Sequence, residues 1–221
     1  MEIFHVLNRG VDKRELFIDD KDRFRFIHDL FEFNDQDRVA NNFYAFQKIN
    51  DIASRYIKPR KLLVDILAFC LMPNHYHLLL IPRIDNGISK FMKKLDMGYA
   101  KYFNEKYRRK GALFEGRYKF VVVENEPHFI HLLYYIHLNP LDLVTPEWRE
   151  RKLNNYEKAV NFLDSYRWSS HLDYAGKKNF PSVIKKDYLL DYFGSEVNYK
   201  KGINDWLKDL YLEDIHDMNL E

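Results

Sequence analysis

The spacing of apolar residues divides the first two thirds of the chain into clear segments. Residues 3–8 read as a strand, stopped by the turn signal Asn8-Arg9-Gly10. Asp19 or Asp20 can cap a helix in which Phe24, Ile27, Leu30 and Phe31 recur at helical spacing. Residues 34–60 are polar and mixed; they read as an insertion with a helical piece over 43–56, closed by Pro59. Residues 61–72 are β-rich, Pro73-Asn74 marks a turn, and 75–81 follow as a strand, so a hairpin is expected. Over 88–107 an amphipathic helix carries Ile88, Phe91, Met92, Leu95, Tyr99, Tyr102 and Phe103 on one stripe, with most lysines off it. A strand is expected over 118–124 and a second strong helix over 126–138, ended by Pro140. Beyond that the signal weakens, with helical stretches over 187–212.

The order β-α-β-β-α-β-α, without parallel βαβ repetition, predicts an α+β fold. Its expected form is a ferredoxin- or RRM-like antiparallel sheet with packed helices over residues 1–145. A mainly helical extension over 146–221 is expected to pack on or near it.

Composition adds constraints. At 46% hydrophobic residues, with 16 Tyr and 17 Phe among 221 residues, the chain can build a large core. The single cysteine, Cys70, excludes an internal disulfide framework and fits a reducing compartment. The start Met1-Glu2-Ile3-Phe4 is unlike a signal peptide, and no apolar run approaches the ~18 residues of a membrane helix. A cytoplasmic protein is expected. The net charge of +2 hides an asymmetry: residues 88–120 hold ten basic against three acidic residues, and 187–221 hold nine acidic against three basic. Such a basic stretch either meets phosphates or is a solvated helix face.

The candidate chemistry begins at MPNHYHLLLIP, residues 72–82, where His75 and His77 share one face of a strongly apolar strand. Residues two apart on a strand lie roughly 7 Å apart. Two imidazoles at that spacing can converge on one metal ion, or can simply be hydrogen-bonded histidines. In the helix PHFIHLLYYIHLNP, Tyr135 and Asn139 fall on one face and His131 extends it by a turn, whereas Tyr134 shares a face with Leu138. A phenol, an amide and an imidazole on an apolar helix suit a polar site. Equally, Asn139 can terminate the helix and Tyr135 can be a half-buried aromatic.

LMPNHYHLLL resembles the His-hydrophobic-His signature of the HUH single-tyrosine transposases, and YYIHLNP resembles their catalytic-helix segment. FHVLNRGVDKRELFIDDKDRFRF, LFEGRYK and YRWSSHLDY are also similar to that family, in the same order over residues 3–176, most like its REP-associated tyrosine transposase branch. Segments 34–60 and 147–165 are longer than that pattern, and the last forty-odd residues carry none of its signatures. The resemblance implies a ferredoxin-like fold and metal-dependent cleavage and rejoining of single-stranded DNA next to hairpin or palindromic repeats. It implies His75, His77 and Asn139 as ligands of Mg²⁺ or Mn²⁺, and Tyr135 as the nucleophile that forms a 5′-phosphotyrosine. His131 or the metal is then the proton acceptor.

Under that reading Arg108, Arg109, Lys110, Arg117 and Lys119, with Arg9 after the first strand, are the candidate phosphate contacts. Tyr99, Tyr102 and Phe114 are candidates for base stacking, although the first two belong to the helix stripe. A monomer is favoured over a homodimer. Three other readings stay open: a noncatalytic RRM-like nucleic-acid binder, a metal hydrolase recruiting Asp65 or Glu124, and a domesticated nuclease that processes host repeats without mobility.

Overall fold

Four strands form one antiparallel sheet: β1 (Phe4–Arg9), β2 (Val64–Met72), β3 (His75–Pro82) and β4 (Lys119–Val122), in the order β2-β3-β1-β4. Together with α1 (Asp20–Glu32) and α2 (Gly87–Lys106) this is the ferredoxin-like arrangement expected from the element order. The computed structural model describes residues 2–37, 60–150 and 153–209. The helical piece expected over 43–56, and Pro59, lie outside the described residues.

Each element has a local cause. The turn after β1 needs Gly10, because a Cβ there would collide with the Arg14 carbonyl. Helix α1 starts at a capping box in which the Asp19 carboxylate accepts from the Asp22 N–H at 3.0 Å and Asp22 accepts from the Asp19 N–H at 3.2 Å. Hairpin β2–β3 turns at Pro73-Asn74, as its residues predict. Strand β3 lies between β2 and β1 and is buried on both faces, which explains its continuous apolar run.

The two faces of β3 have separate partners. Tyr76 packs its ring on Phe26 of α1, and its hydroxyl donates to Asp96 of α2 at 2.5 Å. Helices α1 and α2 therefore cover that face. His77 points the other way, toward α3 (Glu126–Leu138). Helix α3 starts at Asn125, whose side chain accepts from the His128 N–H. It continues through Asn139 into two 3-10 turns, Asn139–Leu143 and Pro146–Glu150.

The remaining described residues form α4 (Tyr156–Leu163), α5 (His171–Tyr174), α6 (Lys186–Phe193) and α7 (Glu196–Asp209) with their connections. The segment Trp168–Ser170 runs beside β2, with Leu71 N–H donating to the Trp168 carbonyl and Ser170 N–H to the Phe69 carbonyl, both near 3 Å. It covers a sheet edge that would otherwise present unpaired backbone groups. The tail also braces α3: His137 bonds to Ser170 at 2.8 Å and Tyr199 at 2.9 Å, all buried. Among the described residues no helix is long and apolar enough to cross a membrane.

Candidate active site

His75 and His77 lie on one face of β3, with ring centroids 4.9 Å apart. Each has its Nδ1 engaged. His75 Nδ1 donates to the Asn74 side-chain oxygen at 2.6 Å, and His77 Nδ1 lies 3.0 Å from His5 Nε2 on β1. A proton on His75 Nδ1 leaves the lone pair on Nε2, and the same tautomer of His77 is available when His5 Nε2 accepts. Both Nε2 atoms are buried. Burial first, then the charges of His75, His5, Arg149 and Arg9, holds His77 well below the usual histidine range. His5 is pushed down to about 3, mainly by burial. Burial thus favours the neutral form of His77, the form in which an imidazole can ligate a cation.

Tyr135 meets this pair from α3. Its ring stands edge-on to His77 at 5.6 Å and to His5 at 6.3 Å. His131 and Tyr135 stay partly exposed on a helix whose other residues from His128 on, Ile130 apart, are buried. Asn139, one turn after Tyr135, keeps helical dihedrals and donates its N–H to the Tyr135 carbonyl, so the face continues through it. Its side chain is fully buried, yet among the described residues neither Oδ1 nor Nδ2 has a hydrogen-bond partner. A buried unsatisfied amide costs roughly 1–3 kcal/mol, and an amide oxygen is an apt ligand for a hard cation. In donor chemistry two imidazoles and an amide oxygen suit a divalent ion.

Tyr134 has a different environment. Its ring stacks on Phe193 and lies against Trp206, and its hydroxyl touches Gly202 so closely that a Cβ there would collide with it. His131 stacks beside Tyr135 at 6.3 Å, and burial with the His128 charge pushes it down to about 4. It is a weak base at neutral pH.

The phosphate-contact candidates divide into two groups. Arg9, Arg117 and Lys119 line a groove of about 230 Å³ together with His75, Asn8 and Glu115. Asn8 is fixed there by Asp96, whose carboxyl burial raises to about 6. Arg108, Arg109 and Lys110 line a separate, open concavity with Lys101. Arg109 donates to Asn104 and to the Ala112 carbonyl, and so helps hold the turn after α2. Lys106, counted in the basic run, is ion-paired to Asp19 and Asp22. Base stacking by Phe114 and Tyr99 is ruled out by burial: Phe114 packs on Tyr76, and Tyr99 is fully buried with its hydroxyl on the Leu16 carbonyl. Tyr102 is engaged with Asp22.

Carboxylates do not complete the site. Asp65 is ion-paired to Arg83 at 2.7 Å, and among the described residues no group of three or more His, Cys, Asp and Glu could hold a metal. Instead the structure adds residues that sequence reasoning missed. His5 and Asn74 orient the histidines. Trp148 and Arg149, from the second 3-10 turn after α3, reach Tyr135: the Trp148 ring lies 6.4 Å from its ring and Arg149 Nη1 donates to its hydroxyl at 3.2 Å, while Asp142 of the first turn holds Arg149 and Trp148. His5 sat within the strand pattern and could have been noticed there. Nothing in the spacing marks Arg149.

A family model described as "Transposase IS200 like" matches residues 28–139. Among solved structures, that of a REP-associated tyrosine transposase bound to a REP hairpin is similar at 12% identity, over 82% of each chain, with a TM-score of 0.49. No curated protein matches the chain.

Proposed function

Because the chain belongs to the IS200-like transposase family, we propose that it cleaves and rejoins single-stranded DNA beside hairpin or palindromic repeats, with Tyr135 as the nucleophile. The observation that carries this reading is the meeting of Tyr135 with His77 at 5.6 Å, beside a second histidine held by its Nδ1 and one turn from an unsatisfied buried amide. His75, His77 and Asn139 would hold a divalent ion, Mg²⁺ or Mn²⁺, which would supply Lewis acidity to the phosphodiester.

The chain's own groups account for the rest. Tyr135 Oη bonds to phosphorus, the bond to the 3′ oxygen breaks, and the products are a 5′-phosphotyrosine and a 3′-hydroxyl. The phenol loses a proton and the 3′ oxygen gains one. The ester keeps the bond energy, so a second 3′-hydroxyl can reverse the step and join without ATP. The groove of Arg9, Arg117 and Lys119 opens beside His75 and suits the strand's phosphates. That His77 and Tyr135 of one chain meet supports a site complete within a monomer.

The test uses single-stranded oligonucleotides tiling the DNA that flanks the coding sequence, incubated with Mn²⁺. The wild type should cut a hairpin-bearing strand, and EDTA should stop it reversibly. His75→Ala and His77→Ala should abolish cleavage while leaving hairpin binding within a few-fold. Full cleavage by the double variant, or equal cleavage of fully paired linear DNA, would sink the proposal.

A further inference from the structure

The guanidinium of Arg149 is built into place. Asp142 holds it side-on: Nε donates to Oδ1 at 2.9 Å and Oδ2 at 3.0 Å, and Nη2 donates to Oδ2 at 2.6 Å. The Trp148 indole N–H donates to Asp142 Oδ1 at 2.6 Å and fixes the carboxylate in turn. With one edge of the fork occupied, Nη1 is aimed at the Tyr135 hydroxyl, 3.2 Å away. The same guanidinium lies 5.3 Å from the ring centres of both Tyr135 and Trp148. Its side chain keeps 29% of its surface exposed, so a strand laid against Tyr135 can reach it.

The position of the attacking oxygen fixes that of the phosphate. Phosphorus must come within about 3–3.5 Å of Tyr135 Oη in a reactive complex. A donor already 3.2 Å from that oxygen then lies within reach of the phosphate's non-bridging oxygens. An arginine clamped by a carboxylate is planar, permanently charged and preorganised, the properties that suit phosphate recognition. A partly exposed Arg–Asp pair contributes little to stability. Stability alone gives no reason for aiming the remaining nitrogen at this one phenol.

We propose that Arg149 is a catalytic residue that grips the scissile phosphate: Nη1 transfers its hydrogen bond from Tyr135 Oη to a non-bridging oxygen as the Oη–P bond forms and the P–O3′ bond breaks. The phenol proton is released, the 3′ oxygen takes up a proton, and Arg149 stays protonated throughout. Asp142 and Trp148 are positioning residues for it. The proposal rests on Tyr135 being the nucleophile.

Single-turnover cleavage of a hairpin-bearing oligonucleotide that the wild type cuts provides the test, with the scissile phosphate either normal or replaced by each of the two phosphorothioate stereoisomers. Arg149→Ala should lower the rate constant by about 10²–10³-fold, the typical loss of one preorganised transition-state donor. Oligonucleotide Kd should change by less than about threefold. Arg149→Lys should recover only part of the rate. The wild type should discriminate between the stereoisomers, and Arg149→Lys should lose much of that discrimination, which a merely structural role would not move. Should Arg149→Ala fail to fold, stereoselectivity in Arg149→Lys decides alone. Wild-type rates in a folded Arg149→Ala, or unchanged stereoselectivity in Arg149→Lys, would overturn the proposal and leave a Tyr135 adduct untouched. An adduct that persists in Tyr135→Phe would instead overturn the nucleophile assignment beneath it.

Discussion

His5 and His77 face each other across the β1–β3 pair, Nε2 to Nδ1 at 3.0 Å, with their rings stacked at 5.2 Å. The contact fixes the orientation of the His77 ring from a strand 72 residues earlier. A hydrogen-bond partner behind a ligating histidine typically contributes 10–100-fold to metal affinity. His5→Ala should therefore weaken Mn²⁺ binding by that order, measured by calorimetry, with hairpin binding unchanged. His5→Gln, which can still accept from Nδ1, should recover part of the loss. Unchanged Mn²⁺ affinity in His5→Ala would show that the ring of His77 is held by packing alone.

Asn139 makes a prediction in which stability and function move in opposite directions. Its amide is buried with both polar atoms unsatisfied, an arrangement that lowers stability unless a ligand is bound. Asn139→Leu has similar bulk and no polar atoms. It should raise the thermal midpoint of the metal-free protein and remove the further rise that Mn²⁺ gives the wild type. A variant less stable than wild type without metal, or one that keeps its full Mn²⁺ response, would remove Asn139 from the ligand set.

The split of the basic residues into two concavities can be read from salt dependence. Binding to single strands weakens with salt by a log–log slope of about −0.7 per phosphate neutralised. Arg117 and Lys119 are exposed beside His75, so replacing either with Ala should flatten the slope by about that amount. Arg109 is engaged with Asn104 and the Ala112 carbonyl. Its replacement should lower the thermal midpoint more than it changes the slope. The reverse pattern would place the strand along the turn after α2 instead of along the groove.

What could be read from the chain follows contact range. The strands, the two long helices and their order were legible because each depends on local periodicity and on end signals such as Asp19, Gly10 and Pro140. Strand β4 is shorter than the expected 118–124 because only Lys119–Val122 find partners on β1. Lys106 counted toward a free basic surface, but the end of α2 lies against the start of α1 and its charge is spent on Asp19 and Asp22. His75 and His77 were visible because they share a strand, and Tyr135 and Asn139 because they share a helix face. His5 became part of the site only through strand register, and Arg149 only through two 3-10 turns whose path no periodicity encodes.

The central claim is that Tyr135, and not its neighbour, carries the DNA. Tyr134 is locked against Gly202, Phe193 and Trp206, whereas Tyr135 stands between His77 and Arg149. The most direct measurement is to trap the protein on a cleavable single-stranded hairpin substrate with Mn²⁺, digest the denaturation-resistant adduct and sequence the modified peptide by mass spectrometry. The expected result is a 5′-phosphorylated nucleotide on Tyr135, retaining label placed 3′ of the cut, lost in Tyr135→Phe and kept in Tyr134→Phe. A nucleotide on Tyr134, or an adduct undiminished in Tyr135→Phe, would contradict the account.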